Sequence, residues 1–191
     1  FAAFRDDYSK GFYELHQQLP PGRKILFATR KEMITPTGWM LKHHIPGTQF
    51  LFASGKYFEH DRNSLIALTE EHVEQMVNLA TLTKPGPFSK RTIEFGNYRG
   101  IFNDDQLVAM AGRRLHVNNY LEVSAVCTHP HFLGKGFAQR LIQYQVNSIL
   151  EENKIPFLHV RSDNKRAIDL YKRLGFIENG AMNFYFLQRL D

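Results

Sequence analysis

Hydrophobic residues recur along the chain with two spacings, and each spacing predicts one kind of element. Every third or fourth position is apolar in TEEHVEQMVNLA (69–80), AQRLIQYQVNSI (138–149) and DNKRAIDLYKRLG (163–175), which predicts three amphipathic helices. Thr69 is a good N-cap for the first of these helices, and Gly175 is a good C-cap for the last. Short apolar or alternating runs between Gly, Pro, Asn and Asp predict strands instead.

The first 65 residues predict a small α/β extension. A short helix in DDYSKGFYELHQQL (6–19) ends at Pro20-Pro21. Three strands follow, separated by TPTG and PG: KILFAT (24–29), GWMLKHHI (38–45) and TQFLFA (48–53). The polar stretch HDRNS (60–64) has the composition of a linker, so residues 66–191 are predicted to form a second domain.

In residues 66–191, helices and strands alternate irregularly. SKRTIEF (89–95) predicts a second short helix, and Asn103-Asp104-Asp105 predicts the turn of an antiparallel hairpin. The predicted strands are NYRGIFND (97–104), QLVAMAGRRL (106–115), YLEVSAVCT (120–128), IPFLHVR (155–161), FIENGA (176–181) and MNFYFLQRL (182–190). This order predicts an α/β fold whose sheet is partly antiparallel.

Composition narrows the classes of function. The 191 residues carry a net charge of +5, but Lys and Arg form no dense block, so nucleic acid is not an expected partner. No apolar run approaches the ~20 residues of a membrane helix, and FAAFRDDYSKGF does not resemble a signal peptide. The single cysteine, Cys127, cannot form an internal disulfide, which fits a cytoplasmic protein. Without CxxC or HExxH, no metal site is predicted.

The segment HPHFLGKGFAQRL (129–141) contains candidate binding chemistry. Gly134, Lys135 and Gly136 stand between a predicted strand and a predicted helix. The first N–H groups of a helix have no internal acceptor, and the helix dipole makes that end attractive to phosphate. Glycine lets an anion approach the backbone, and Lys135 adds a positive charge. By itself, however, a Gly-x-Gly sequence is equally typical of a simple turn.

HPHFLGKGFAQRLI (129–142) resembles motif A of the GNAT N-acetyltransferase superfamily, and DNKRAIDLYKRLGF (163–176) resembles its motif B. The resemblance covers about residues 66–191. KPGPF, LVAMAGRRL and SAVCTHP are most similar to the glycine-N-acyltransferase-like branch. The matching positions are Gly134, Gly136 and Ala138 in motif A, and Asn164, Ala167, Tyr171 and Leu174-Gly175-Phe176 in motif B.

The resemblance implies a GNAT-type fold: a mixed, mostly antiparallel central sheet flanked by helices. It also implies an N-acetyltransferase that uses acetyl-CoA and passes the acetyl group directly to a primary amine. The residues expected to bind acetyl-CoA are Val126, Cys127 and Thr128 along the pantetheine arm, Leu133, Gly134, Lys135, Gly136, Phe137 and Ala138 at the pyrophosphate, and Asn164. Leu133 departs from the family, which usually has Arg or Gln there. Because the main anion contacts come from the backbone, we expect weakened or reoriented pyrophosphate binding.

Two residues are expected to carry catalysis. Tyr171 matches the family's tyrosine near the thiol, the usual candidate general acid, although it could equally pack one face of its helix. Glu122, on the strand before the loop, could accept the amine proton or be an exposed carboxylate near a strand end. His129 and His131 are weaker candidates for the base. Strand alternation puts Glu122, Val126 and Thr128 on one face and Cys127 on the other. Cys127 is expected to be a small buried residue, since the sequence shows nothing that would activate a nucleophilic thiolate.

Several questions remain open at the level of sequence. Loop 84–92 and the last strands are expected to build the acceptor pocket, and residues 1–65 could cap it or be a reduced copy of the half-sheet. The family often forms homodimers. The leading alternative function is a non-catalytic acyl-CoA-binding regulator, suggested by Leu133. A nucleic-acid-binding protein is a third hypothesis, which rests on net charge and predicts strongly salt-dependent affinity.

Overall fold

A computed structural model describes residues 1–4, 8–59 and 65–191, so the predicted linker at 60–64 lies outside the described residues. The chain forms two compact units, each discontinuous in sequence. The terminal unit consists of Phe1–Gln49, His159–Lys165 and Glu178–Asp191, and the central unit consists of Phe50–Leu158 and Arg166–Ile177. The sequence-based boundary between residues 65 and 66 stays a prediction.

The described residues contain four α-helices, eight strands and three short 3-10 helices. The α-helices are α1 (Tyr8–Gln18), α2 (Val73–Thr83), α3 (Phe137–Glu151) and α4 (Lys165–Arg173). The strands are β1 (Lys24–Thr29), β2 (Trp39–Phe52), β3 (Ile66–Ala67), β4 (Arg99–Asn103), β5 (Gln106–Val117), β6 (Tyr120–Thr128), β7 (Ile155–Arg161) and β8 (Phe176–Arg189). The 3-10 helices are Glu70–His72, Lys90–Phe95 and Pro130–Phe132.

The strands form one sheet in the order β1-β8-β2-β7-β6-β5-β4-β3. Strand β1 pairs antiparallel with β8, and β3 to β6 form successive antiparallel pairs. Strand β6 pairs in parallel with β7, which requires a crossover connection, and α3 supplies it. The predicted fold class, a mixed and mostly antiparallel sheet flanked by helices, is confirmed.

Most predicted elements of the central unit are confirmed. Helices α2, α3 and α4 occupy the three periodic stretches, and SKRTIEF forms the 3-10 helix at Lys90–Phe95. The hairpin of β4 and β5 turns between Asn103 and Gln106, as the Asn-Asp-Asp sequence predicted. These features depend on local sequence, which explains why periodicity and turn residues found them.

Two predicted strand breaks are wrong. Pro46-Gly47 was expected to separate two strands, and residues 176–190 were expected to form two strands that meet at Ala181 and Met182, yet β2 and β8 each run continuously for 14 residues. Gly47 is buried, and a Cβ placed on it would lie 2.8 Å from the carbonyl oxygen of Val160. This glycine therefore permits a close approach of neighbouring backbone inside the sheet and does not mark a turn.

Both faces of the central unit's sheet are covered. On one face, Met76 of α2 packs in a cluster with Met110 and Cys127. On the other face, Leu141 of α3 packs with Val108 and others. Strand β5 is consequently buried from Leu107 to Arg113, which explains its continuous apolar sequence.

The terminal unit has a core of its own. Phe12 of α1 is fully buried against Phe27, Trp39 and Leu187. The rings of Phe12 and Phe27 meet edge to face at 5.0 Å, and the indole N–H of Trp39 donates to the carbonyl of Phe12 at 3.2 Å. This donation satisfies the polar atom of an otherwise buried indole.

Candidate active site

Strand β6 contains a β-bulge at Ala125. The register of β6 against β5 shifts between Ser124 and Cys127, so β6 has one residue more than its partner there. Ala125 has a φ of +52°, in the left-handed region, which costs a non-glycine residue roughly 1–2 kcal/mol. Strain of this kind persists only where the surrounding structure imposes it, and it is frequent at functional sites.

The bulge changes which way the later side chains of β6 point. Strict alternation predicted Glu122 and Val126 on one face and Cys127 on the other, and this prediction is wrong. Cys127 packs in the cluster under α2, whereas Val126 packs against the cluster under α3. Glu122 interacts electrostatically with Tyr98, a member of the α2 cluster. We call the α2 side of β5 and β6 the pocket face, and the other side the α3 face.

The parallel pairing of β6 with β7 is short. It comprises three residue pairs, from Tyr120–Ile155 to Glu122–Phe157. The segment expected to bind pantetheine, Val126 to Thr128, therefore follows the paired stretch. Its role in binding pantetheine stays a prediction.

The loop before α3 has the backbone form of an anion cradle. Gly134 and Gly136 have φ values of +84° and +78°, and a Cβ on either residue would meet no atom within 4 Å. Glycine is thus required by backbone conformation, and the space above both residues is open. Gly136 is the N-cap of α3 and supplies no side-chain acceptor for the first N–H groups of the helix. Phe137 and Ala138, in the first turn, are half-buried.

Leu133 and Lys135 differ in their surroundings. Leu133 is 49% exposed beside the first glycine and offers an anion only its backbone. The Lys135 ammonium lies 4.7 Å from the centre of the Phe132 ring, a cation–π contact that holds the charge at the loop. Leu133 carries no charge, and the positive charge of this loop lies two residues later, on Lys135.

Thr128 ends the cofactor strand with an unsatisfied polar atom. Its hydroxyl oxygen is buried and has no hydrogen-bond partner among the residues that the structure describes. A buried hydroxyl without a partner is costly, and a polar ligand lying along the strand end would satisfy it. Together with the open glycine loop, this atom shows that the residues present fit a phosphate-bearing, amide-rich cofactor such as CoA.

Tyr171 is buried in the central unit. Its ring packs near Phe50 and Phe176, at centroid distances of 6.3 and 6.0 Å. Burial raises the pKa of Tyr171 to about 12, so the phenol stays protonated at neutral pH. The ring of Tyr171 therefore packs against other aromatic residues, as the packing interpretation expected. Its hydroxyl keeps its proton, which the general-acid interpretation requires.

Asn164 lies in the terminal unit, immediately before α4. Its N–H donates to the carbonyl of Arg161 at 3.0 Å, which shapes the turn into the helix. The side chain of Asn164 is exposed. Its role in binding the cofactor stays a prediction.

Glu122 is not the exposed carboxylate that sequence reasoning allowed. It is 1% exposed and accepts two hydrogen bonds from the Arg114 guanidinium, from Nε at 2.8 Å and from Nη2 at 2.6 Å. The N–H of Leu115 donates to the same carboxylate at 3.3 Å. Burial disfavours the charged form of Arg114, but Glu122 outweighs it and raises the pKa of Arg114. The two side chains form a buried, charged pair.

Arg114 belongs to a pocket on the pocket face of β6, which we call the β6 pocket. Arg114, Tyr98 and Ala125 bring the buried pair and the bulge to one wall of it. Residues of loop 84–92 form another wall, in agreement with the expected acceptor loop. The complete lining is Pro85, Gly86, Pro87, Phe88, Thr92, Tyr98, Arg114, Ser124 and Ala125.

Cys127, His129 and His131 are the other reactive side chains that the sequence singled out. Cys127 is buried, and burial raises the pKa of its thiol to about 12, which leaves little thiolate for nucleophilic attack. His129 Nδ1 accepts a long hydrogen bond from the N–H of His131, at 3.3 Å. The two rings lie 5.1 Å apart beside the loop.

Sequence reasoning missed Arg114 and Tyr98. Both are separated along the chain from the motifs, and Tyr98 looks like any aromatic residue of a core strand. A signal existed for Arg114, because an arginine and a glutamate eight residues apart across a short hairpin can meet as a cross-strand pair. The bulge at Ala125 gave no signal, since alanine rarely adopts a positive φ.

Comparison with known proteins identifies the class of protein. A model of the FR47-like protein family matches residues 98–186. The chain is 31% identical over 128 residues to spermidine N(1)-acetyltransferase of Vibrio cholerae, covering 64% of this chain and 70% of that protein.

Solved structures extend the match to nearly the whole chain. A protein of Novosphingobium aromaticivorans, described as an acetyltransferase of the GNAT family, is 33% identical with a TM-score of 0.85, and the alignment covers 93% of this chain and 80% of that one. The PaiA N-acetyltransferase of Thermoplasma acidophilum, solved with coenzyme A, shares the fold at 15% identity and a TM-score of 0.50, over 65% of this chain and 97% of that one. The chain belongs to the GNAT acetyltransferase family, whose enzymes use acetyl-CoA.

Two further observations concern the described residues alone. Within 1–4, 8–59 and 65–191, no helix combines the length and apolar character needed to cross a membrane. In the same ranges, no three His, Cys, Asp or Glu side chains are grouped as ligands of a metal ion.

Proposed function

We propose that this enzyme acetylates a primary amine bound in the β6 pocket, by direct transfer from acetyl-CoA held along the end of β6 and loop 133–138. The bulge carries the proposal. Ala125 lines the β6 pocket, and the next residues of β6 lead into the cofactor segment. An amine in the pocket and a thioester on the strand would therefore meet at this bulge.

The backbone supplies most of the binding chemistry in this proposal. N–H groups of the glycine loop and the first turn of α3 would hold the pyrophosphate, assisted by the Lys135 ammonium. An N–H of the bulged stretch from Val126 to Thr128 would polarise the thioester carbonyl. A donor fixed in a rigid strand costs no reorganisation as charge develops on that oxygen.

Tyr171 is proposed as the group that neutralises the departing thiolate. Its raised pKa keeps the hydroxyl protonated, so it is available as a donor at neutral pH. The apolar packing around the ring fixes its position without competing for the proton. We therefore assign Tyr171 the role of general acid.

Glu122 is our candidate for the proton acceptor, acting through water. Its carboxylate already accepts two charge-assisted hydrogen bonds from Arg114. In this proposal the carboxylate receives a proton from the amine after attack on the thioester, when that nitrogen is strongly acidic. Glu122→Gln should then lower kcat.

The finer placement of the enzyme is also a proposal. The KPGPF sequence that suggested the glycine-N-acyltransferase-like branch contributes Pro85 to Phe88 to the β6 pocket, which supports that placement. The Vibrio relative, named for spermidine, supports a small amine as the acceptor class. We further propose a cytoplasmic enzyme that requires neither nucleic acid nor membrane, and a homodimer that sedimentation would detect.

Calorimetric titration with acetyl-CoA tests the cofactor site. Wild-type protein should bind in the micromolar range, and Gly136→Glu should abolish binding because it adds a negative charge and strains the cradle. Gly55→Glu is the matched control: Gly55 also has a positive φ, +63°, and open space for a side chain, but lies outside the loop. The control should bind acetyl-CoA normally.

The outcomes separate the candidate functions. Binding lost only in Gly136→Glu, followed by acetylation of a member of an amine panel, supports the enzyme. Binding without transfer to any amine would favour the regulator that Leu133 suggested. No binding by the wild-type protein would contradict both.

A further inference from the structure

We propose that a cavity beside the C-terminal half of α3 is a second ligand site, which binds a small apolar monocarboxylate through the guanidinium of Arg99. We call this cavity the α3 pocket. Its lining includes Arg99 of β4, Ala67 of β3, and Tyr144 and Glu151 of α3. The inference does not rest on the proposed function, because none of the described lining residues belongs to the cofactor loop at 133–138.

The α3 pocket has room for a small molecule. Its volume is about 290 Å³, near the lower end of the roughly 300–1,000 Å³ that is typical of ligand sites. Leu65 belongs to the apolar cluster under α3, and Tyr144 packs against it. The wall that these two residues form is therefore held in place by the core of the central unit, and the pocket is formed before a ligand arrives.

The guanidinium of Arg99 is held at this wall by an aromatic ring. Its central carbon lies 5.0 Å from the centre of the Tyr144 ring, a cation–π contact. The ring attracts the charge, but it accepts no strong hydrogen bond from the five N–H donors of the group. Arg99 is therefore positioned by Tyr144 without having its donors satisfied.

The missing acceptors distinguish Arg99 from the arginines of β5. Arg113 and Arg114 each bind a glutamate. Arg99 is also half-buried, yet among the residues that the structure describes it has no carboxylate partner and no side-chain hydrogen bond. Donors removed from water without an acceptor are costly. A carboxylate in the pocket would supply two acceptors at once, in the geometry that a guanidinium favours.

The neutral polar side chains of the lining are already engaged. Asn147 bonds both backbone groups of Phe58: its Oδ1 accepts from the N–H at 2.9 Å, and its Nδ2 donates to the carbonyl at 2.8 Å. The hydroxyl of Ser148 accepts from Arg113 at 2.9 Å. A polar ligand would therefore find its hydrogen-bond donors at Arg99.

The rest of the lining sets the charge and the body of the ligand. Glu151 carries a negative charge in the same pocket, and it forms no ion pair with Arg99. A ligand with a second anionic group would bring that group toward Glu151, so a single negative charge is favoured. Leu65 and Ala67 are apolar, and a hydrocarbon body would displace water from them. A monocarboxylate with a compact hydrocarbon body meets both conditions.

The first test locates the binding site by NMR. Cyclohexanecarboxylate, cyclohexanecarboxamide and inorganic phosphate are titrated separately into ¹⁵N-labelled wild-type protein, with CoA present to occupy the glycine loop. The acid should give saturable shifts centred on the amides of Ala67, Arg99 and Tyr144. It should bind at least tenfold more tightly than the carboxamide or phosphate. No saturable binding of the acid, equal binding of acid and amide, or shifts centred on loop 133–138 would overturn the inference.

The second test uses calorimetry on variants of Arg99. Arg99→Gln should lose the preference for the acid over its amide, and Arg99→Lys, which keeps the charge without the planar group, should keep part of it. Arg23→Gln is the matched control, because Arg23 is exposed and lies outside the lining. It removes the same charge and should bind the acid like the wild type. Thermal unfolding confirms that each variant is folded.

The outcomes separate this inference from the proposed function. Loss of acid binding in Arg99→Gln, with normal affinity for acetyl-CoA, supports a site distinct from the cofactor loop. Equal weakening in Arg99→Gln and Arg23→Gln would mean that net charge attracts the acid, and the inference would be wrong. Competition between the acid and acetyl-CoA that is unaffected by Arg99→Gln would place the acid at the glycine loop. That result would overturn this inference and leave the proposed function standing.

Discussion

Arg113 and Arg114 are neighbours on β5, and each pairs with a glutamate, yet the two pairs differ in their surroundings. Arg113 binds Glu152 just after the end of α3, where the glutamate side chain is 41% exposed. Arg114 binds Glu122 on the pocket face, where the glutamate side chain is 1% exposed. Because strand residues alternate, one Arg-Arg dipeptide serves both faces of the sheet.

The comparison shows the same kind of ion pair, arginine with glutamate, in two different surroundings on one sheet. On the α3 face, Arg113 also donates to Ser148, so the pair fastens the last turns of a helix to the sheet. On the pocket face, the pair holds a guanidinium in a fixed plane at the wall of a pocket. The burial of the glutamate, rather than that of the arginine, distinguishes the two pairs.

Breaking each pair at its glutamate should produce the largest contrast in stability. Glu122→Ala leaves the Arg114 charge buried without its partner, which should lower the free energy of unfolding by about 3–5 kcal/mol. Glu152→Ala removes a partner that is itself 41% exposed and leaves Arg113 its hydrogen bond to Ser148, so it should cost at most about 1 kcal/mol. Urea denaturation followed by fluorescence measures both changes. Equal losses would mean that burial of the glutamate does not distinguish the two pairs.

Two tyrosines, Tyr171 on α4 and Tyr144 on α3, test the assignment of the general acid. Tyr171→Phe should lower kcat by about 10²-fold, because a general acid contributes at least that much. Acetyl-CoA affinity should hardly change, since the ring and its packing remain. Tyr144→Phe, on α3, is the matched control and should keep normal turnover. The checks are steady-state kinetics and calorimetry, and an unchanged kcat in Tyr171→Phe would remove it from the acid role.

The pKa of Tyr171 adds a pH dependence to this prediction. Because burial raises that pKa to about 12, the phenol should not titrate below pH 10. Any alkaline limb of kcat in the wild type should therefore persist in Tyr171→Phe. A limb near pH 9 that disappears in the variant would contradict the raised pKa.

The residues of the candidate site differ in how well the sequence predicted them. Gly134 and Gly136 were predicted because a glycine loop before an amphipathic helix is a local signal, and the structure gives both the required positive φ. Glu122 was chosen from its position on the strand, but its partner Arg114 was not, because their contact depends on the hairpin register. The β6 pocket, formed by loop 84–92, Tyr98 and strands β5 and β6, could be predicted only in outline.

Errors in the predicted fold have the same physical origin. The predicted alternation of side chains along β6 fails after Ala125, because an alanine in a strand sequence does not indicate a β-bulge. The break expected at Pro46-Gly47 failed because glycine permits close approach as well as turns. In each case the decisive information lay in a neighbouring strand that is distant along the chain.

Two buried alanines, one on each face, test the strain at the bulge. Ala125→Gly loses a buried methyl group but places a glycine at a φ of +52°, which glycine adopts without strain. Ala111→Gly, opposite the bulge on the α3 face, loses a buried methyl group without relieving any strain. Ala111→Gly should therefore lower the free energy of unfolding by roughly 1–2 kcal/mol more than Ala125→Gly. Thermal and urea unfolding measure the difference. A larger loss in Ala125→Gly would show that the bulge stores no strain.

The smallest expected effect is the pH dependence of the exposed pair. Burial disfavours the charged form of Glu152, but Arg113 outweighs this and lowers its pKa below the ordinary value of 4.5. The pair therefore stabilises the fold above that value and loses its contribution as the pH falls through the lowered pKa. Since Glu152 is 41% exposed, solvent screening keeps the contribution to a fraction of a kcal/mol. Unfolding of the wild type and Glu152→Gln should differ slightly at pH 7 and converge as the pH falls well below 4.5; a difference that grows on acidification would reverse the assigned sign.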